Sequence, residues 1–217
     1  GQYGATDRLE IDGQTVYQEN YIKQSGLKAH SEGLGDSYIF LRYCTIEEEG
    51  WVPHLTGLFQ IKAPTGKYQH ADPDRLGTDL MGAASGGGSW DHGYGVMLTK
   101  KVKPYLLHVD AIYSFPQEVR IDGVKTIYGE YLNYDFGVEY FLAKRFNLML
   151  EFNGFLQQDK KQDGSKIPSS DINYLTVAPG FGWSNDLIQA LVAYQRTLIG
   201  TNTDANDSIV FTFVYTF

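Results

Sequence analysis

Ser208-Ile209-Val210-Phe211-Thr212-Phe213-Val214-Tyr215-Thr216-Phe217 alternates strictly with a period of two. Successive side chains of a strand point to opposite faces, so Ile209, Phe211, Phe213, Tyr215 and Phe217 make one wholly apolar face. Such a face requires apolar surroundings, either the core of a soluble sheet or the acyl chains of a bilayer. The remainder of the chain decides between the two.

The ring-ended last strand resembles the C-terminal signature of bacterial outer-membrane barrels. Composition agrees with many strands joined by Gly-rich turns: 217 residues, 42% hydrophobic and 14% aromatic, with 24 Gly and 16 Tyr. The length suits one domain spanning 1–217. No run of about 18 apolar residues occurs, which excludes a transmembrane helix and an uncleaved signal peptide. The chain starts at Gly1 without Met and is read as a processed or truncated form.

A formal net charge of -8 argues against nucleic acid, because phosphate binding needs clustered Lys and Arg and here they are scattered. Cys44 is alone, so no intramolecular disulfide forms, and it reads as a small packed side chain. Nothing in the chain calls for a cofactor.

Ten strands are predicted, at about 7–20, 36–46, 53–63, 92–101, 104–115, 130–143, 146–158, 173–183, 187–199 and 208–217, each long enough to cross a bilayer when tilted. No helix is needed. Working back from the end, long links (202–207, 158–172, 116–129, 64–91, 22–35) alternate with short turns (184–186, 143–145, 101–104, 47–50). This sorting predicts an all-β, transmembrane, antiparallel up-and-down β-barrel, with short turns and both termini periplasmic and long loops extracellular. A missing N-terminal hairpin would raise ten strands to twelve.

Parity within strands divides polar from apolar residues. Leu132, Tyr134, Phe136, Val138, Tyr140 and Leu142 alternate with Asn133, Asp135, Gly137 and Glu139. A lipocalin-like soluble barrel would turn the apolar set inward, so parity alone leaves both readings open. Aromatic residues near the strand ends, among them Tyr105, Phe115, Trp183, Tyr194 and Phe217, favour interfacial girdles and therefore lipid. The lumen then carries Arg42, Gln60, Lys62, His108, Asp110, Asp135, Glu139, Glu151, Gln189 and Gln195. Arg42 and Lys62 are the expected counter-ions of the acidic group, and His108 is expected to bond to a carboxylate.

A family resemblance rests on Gly33-Leu34-Gly35-Asp36 opening a strand, a strand ending Lys62-Ala63-Pro64-Thr65-Gly66, then Gly77-Thr78-Asp79 and a Gly-rich stretch to Ser89. With Tyr3-Gly4-Ala5-Thr6-Asp7-Arg8-Leu9 ahead of them, these resemble the outer-membrane barrel family named for the meta-pathway of phenol degradation. The resemblance implies a barrel that passes small solutes, hydrophobic or aromatic ones included. Asp79 stands where the family pattern has Gly. Read for themselves, Pro64, Thr65 and Gly66 end a strand, since Pro lacks a ladder donor and Gly admits φ > 0. Gly33, Gly35 and Asp36 begin one, the Asp36 carboxylate capping backbone donors in its turn.

Catalysis is not expected. His108, Asp110 and Ser114 share a strand face, but Ser114 lies too far along to form a triad. No metal site is expected, although His70, Asp72, Asp74 and Asp79 share one loop. The leading expectation is an outer-membrane channel or facilitator in the lipid bilayer, with selectivity set by Arg42, Lys62, His108, Asp110, Asp135, Glu139 and Glu151. Its rival is a closed structural barrel whose lumen charges are all paired and whose loop aromatics Trp90 and Tyr68 contact a partner protein.

Overall fold

The computed structural model of the chain describes residues 1–24, 27–66, 87–121, 123–203 and 205–215, apart from the side chains of 18–32. No helix occurs among them. Eleven strands form one antiparallel sheet, each hydrogen-bonded to the next in chain order. They are β1 (Gln2–Gly4), β2 (Leu9–Gln14), β5 (Ser37–Ile46), β6 (His54–Ala63), β7 (Asp91–Val102), β8 (Tyr105–Pro116), β11 (Tyr131–Ala143), β12 (Phe146–Gln157), β15 (Ile172–Ser184), β16 (Ile188–Thr201) and β17 (Asp207–Tyr215). β1 and β17 are its edges, and the sheet is not closed.

Nine of the ten predicted strands lie within two residues of their expected bounds, Thr216 and Phe217 falling outside the described residues. The first differs. Its 7–20 segment divides into β2 and β3 (Tyr17–Gln24), and β1 doubles back on β2 so that Gln2 lies level with Asp12. β3 pairs with β4 (Leu27–Leu34), where a loop over 22–35 was expected. The segment Tyr17-Gln-Glu-Asn-Tyr-Ile-Lys-Gln has no period-two apolar face, and its ribbon with β4 is a two-stranded sheet separate from the main one.

β4 enters β5 through an offset that sets the direction of Asp36. Gln14 faces Tyr38 and Tyr17 faces Leu34, so three steps on one strand are matched by four on the other. The extra residue is a β-bulge. Gly33 has φ 147, a region essentially closed to residues with a Cβ.

Burial is inverted relative to a soluble protein. Among the described residues the buried apolar ones are only Cys44, Leu58 and Ala178, whereas Asp12 (2% exposed), Gln60 (3%), Lys62, Ser114 and Thr176 are buried. Phe211 and Phe213 are 78% and 68% exposed. A single-layer sheet buries one face by curling around it, and here it curls around the polar one. The lipocalin-like arrangement, which needs the opposite, is thereby overturned.

The apolar face carries aromatic contacts at both strand ends. Tyr105–Tyr140 (5.2 Å) and Phe146–Phe181 (5.7 Å) lie by the short turns; Phe59–Tyr94 (5.2 Å) and Tyr113–Phe115 (5.1 Å) lie towards the long loops.

Loops are sorted as expected. On the short side the turn before β16 is held by the Asn185 side chain, whose Oδ1 accepts the N–H groups of Leu187 (2.9 Å) and Ile188 (2.7 Å). On the long side, two loops contain hairpins that pair with each other. β9 (Val119–Ile121), β10 (Val124–Ile127), β13 (Lys161–Gln162) and β14 (Ser165–Lys166) form a four-stranded sheet in the order β14-β13-β10-β9.

Candidate functional site: the polar face of the sheet

Register places every predicted lumen residue on one face. Across neighbouring strands run the rows Asp110–Asp135–Asn153–Thr176 and His108–Gly137–Glu151–Ala178. Directly opposed residues have Cβ atoms about 4.5–5.5 Å apart, so side chains in a row interact. Three charged groups lie on this face and at its long-loop end.

The first is at the long-loop end. Lys62 Nζ lies 2.6 Å from Asp91 Oδ2 and 3.6 Å from Asp36 Oδ2, and donates to Ser89 Oγ at 3.4 Å. Ser89 Oγ donates to Asp91 Oδ1 (2.7 Å), and Tyr131 OH donates to Asp91 Oδ2 (3.0 Å). Asp36 Oδ1 accepts the N–H of Gly66 (3.1 Å) and Oδ2 that of Gly87 (2.8 Å). Thr65 Oγ1 donates to Gly35 O (2.9 Å). The two motifs, Gly33 to Asp36 and Pro64 to Gly66, are thus two sides of one structure. Gly77-Thr78-Asp79, His70, Asp72, Asp74 and Tyr68 lie outside the described residues.

The second group is on β2 and β5. Arg42 Nη1 meets Glu10 Oε1 at 2.5 Å and Nη2 meets Asp12 Oδ2 at 3.1 Å. Gln14 Nε2 donates to the same Asp12 oxygen at 2.7 Å.

The third group is acidic: Asp110, Asp135, Glu139 and Glu151. The expectation that Arg42 and Lys62 neutralise it is corrected, because Arg42 is already paired with β2 and Lys62 with Asp91 on β7 and Asp36 ahead of β5. Among the described residues no ion pair joins these four carboxylates to Lys, Arg or His. Glu139 accepts a hydrogen bond from Asn147 Nδ2. His108 also departs from expectation: its ring lies over Gly137, where a Cβ would strike it, and no hydrogen bond from it to a carboxylate occurs among the described residues. A hollow of about 400 Å³ adjoins this group, lined by Asp135, Glu151, Asn153, Tyr174, Gln195 and Thr212 among others. No trio of His, Cys, Asp and Glu converges as a metal site among the described residues.

Sequence reasoning missed Glu10, Asp12, Ser89, Asp91 and Tyr131. Parity was the available signal for Asp91, which continues the inward series Gly93, Gly95, Met97 one step beyond the predicted strand start. Ser89 carried none, since it lies outside any strand.

An antiparallel sheet wrapped around buried charges, apolar outside and with loops sorted by length, defines the outer-membrane barrel class of fold. Residues 5–213 match the family described as "Putative MetA-pathway of phenol degradation", and the chain belongs to it. Among solved structures, an outer-membrane channel from Pseudomonas putida F1 is similar with a TM-score of 0.72. That match has 14% identity and covers 97% of this chain and 76% of that one. At such identity the likeness is one of fold.

Proposed function

We propose that the protein is an outer-membrane channel for small solutes, with short turns in the periplasm, long loops outside, and a lumen that favours cations. The carrying observation is the unequal pairing of lumen charges. A closed structural barrel has every charge matched; here Arg42 and Lys62 are consumed by Glu10, Asp12, Asp36 and Asp91, while Asp135 and Glu151 face a hollow, with Asp110 beside Asp135 on the next strand. Carboxylates left in a narrow polar passage raise the local concentration of cations and repel anions. The fold's likeness to a channel and the family's description support the same reading, and hydrophobic or aromatic solutes remain within the proposed substrate class. The chain is proposed to be non-catalytic and to need no cofactor.

Single-channel recording in planar bilayers tests this. Wild type is expected to show discrete, cation-selective steps. Asp135→Asn with Glu151→Gln should lower the cation-to-anion permeability ratio on the order of fivefold, since a unit charge at about 4 Å in a water-like medium is worth roughly 1 kcal/mol. Silence from demonstrably inserted wild type sinks the channel reading. It would shift weight to the closed barrel, for which exposed Trp90 is the candidate partner contact.

A further inference from the structure

One carboxylate holds both ends of a long stretch of chain. Asp36 accepts Gly66 N–H with one oxygen and Gly87 N–H with the other, so the segment leaving β6 and the segment returning to β7 meet at a single side chain. That side chain is tied in turn to the inner wall, through Lys62 on β6, which also grips Asp91 at the start of β7. The returning strap is seated deeply: Ser89 and Asp91 are each 2% exposed. The seating is close at Gly87, where a Cβ would stand 3.2 Å from Lys62 Nζ, a tight approach, and 3.7 Å from Asp36 Oδ2, an ordinary contact. Asp36 lies just past the bulge and reaches Lys62, whose register partner is Tyr38, so it turns to the same face as both.

We propose that Asp36 is a positioning residue of the outer mouth: through the Asp36–Lys62–Asp91 clasp it fixes the strap Gly87–Trp90 against the inner wall and thereby sets the aperture. The unit acts at the base of the loop, independently of the acidic group deeper in the lumen. The chemistry separates Asp36 from a generic structural residue. Its two oxygens accept two different N–H groups, whereas Asn offers only one acceptor, so Asp36→Asn keeps half of the clasp and Asp36→Ala none. Removing one partner of a buried ion pair leaves the other unpaired, so Lys62→Met should open the same device from the opposite side. Gly87→Leu should wedge the strap away while leaving every charge in place.

The inference rests on the channel reading for its conductance readout, so two readouts are paired. The first is trypsin cleavage in the segment between Gly66 and Gly87, for which the sequence offers Lys67 and Arg75. The second is single-channel conductance and open-state noise. Folded barrel is selected beforehand by heat-modifiable migration on gels, so that a misfolded variant is not scored. Asp36→Ala, Lys62→Met and Gly87→Leu are expected to be cut at least about tenfold faster than wild type, the scale of loss when a buried charge is orphaned or a strap displaced. They should also show larger or noisier open states, with Asp36→Asn intermediate in both. Unchanged cleavage in folded Asp36→Ala overturns the clasp. Faster cleavage with wild-type conductance overturns its role at the mouth. Faster cleavage in proteins that never conduct, wild type included, supports the clasp and rejects the channel.

Discussion

Gly154 sits on the lipid-facing side of β12 with the Tyr134 ring lying over it, and a Cβ there would meet the ring carbons. Gly137 does the same for His108 on the opposite face. Each ring is thus laid flat by a missing side chain on the neighbouring strand. Gly154→Ala is expected to lift the Tyr134 ring and destabilise the folded barrel by about 1–3 kcal/mol, the usual cost of overpacking. Urea unfolding in lipid vesicles measures this. A change under about 0.5 kcal/mol, the scatter of an ordinary surface substitution, would mean the ring has another place to lie.

Among the elements, the outer hairpins are held by side chains as much as by ladders. Asp159 Oδ2 lies 2.9 Å from Lys166 Nζ, and Oδ1 accepts the N–H groups of Ser170 (2.8 Å) and Asp171 (2.9 Å). The Lys166 ammonium first, and then these backbone donors, hold the Asp159 carboxyl below its ordinary value. A depressed folded pKa contributes stability that is complete above the unfolded value, about 3.9, and is lost as pH falls through the folded one. Relative to its intrinsic rate, exchange of the Ser170 and Asp171 amides should therefore be slow and flat near neutrality and accelerate in acid below the ordinary carboxylate range. In Asp159→Asn it should be faster already at pH 7. Equal rates in the two proteins at neutral pH would show that the β13–β14 ladder alone holds the hairpin.

As a whole molecule the protein turns an apolar face outward, which is expected to need an apolar medium for stability. Phe211 and Thr212 are neighbours in β17 but face opposite sides, Phe211 with Val192 and Thr212 with Leu191 as partners. Phe211→Arg puts a charge on the lipid face, where it should cost about 2–4 kcal/mol near the midplane, while Thr212→Arg faces the lumen and should cost far less. Folding equilibria into lipid vesicles decide this. Equal penalties would mean that the assigned faces are wrong.

Strands, their parity and the sorting of loops were legible in the sequence because a bilayer imposes a two-residue apolar period and a minimum length on every crossing segment. The strand end at Ala63, just before Pro64, was legible too, but Gly66, read as a φ > 0 residue, is not among the positive-φ glycines. The β3–β4 ribbon and the outer hairpins were not legible, since strands outside the lipid carry no such period. Pairing of charges was also beyond reach. Parity placed Arg42, Lys62 and the acidic residues on one face, but which carboxylate meets which cation depends on register and on distance along the strands. Those put Arg42 beside Glu10 and Asp12 and Lys62 beside Asp91, leaving Asp110, Asp135 and Glu151 unneutralised. Lipid as the outer medium was favoured in the sequence by the loop sorting and the aromatic strand ends, and the burial that bears it out is tertiary, because the direction in which the sheet curls decides which face is buried.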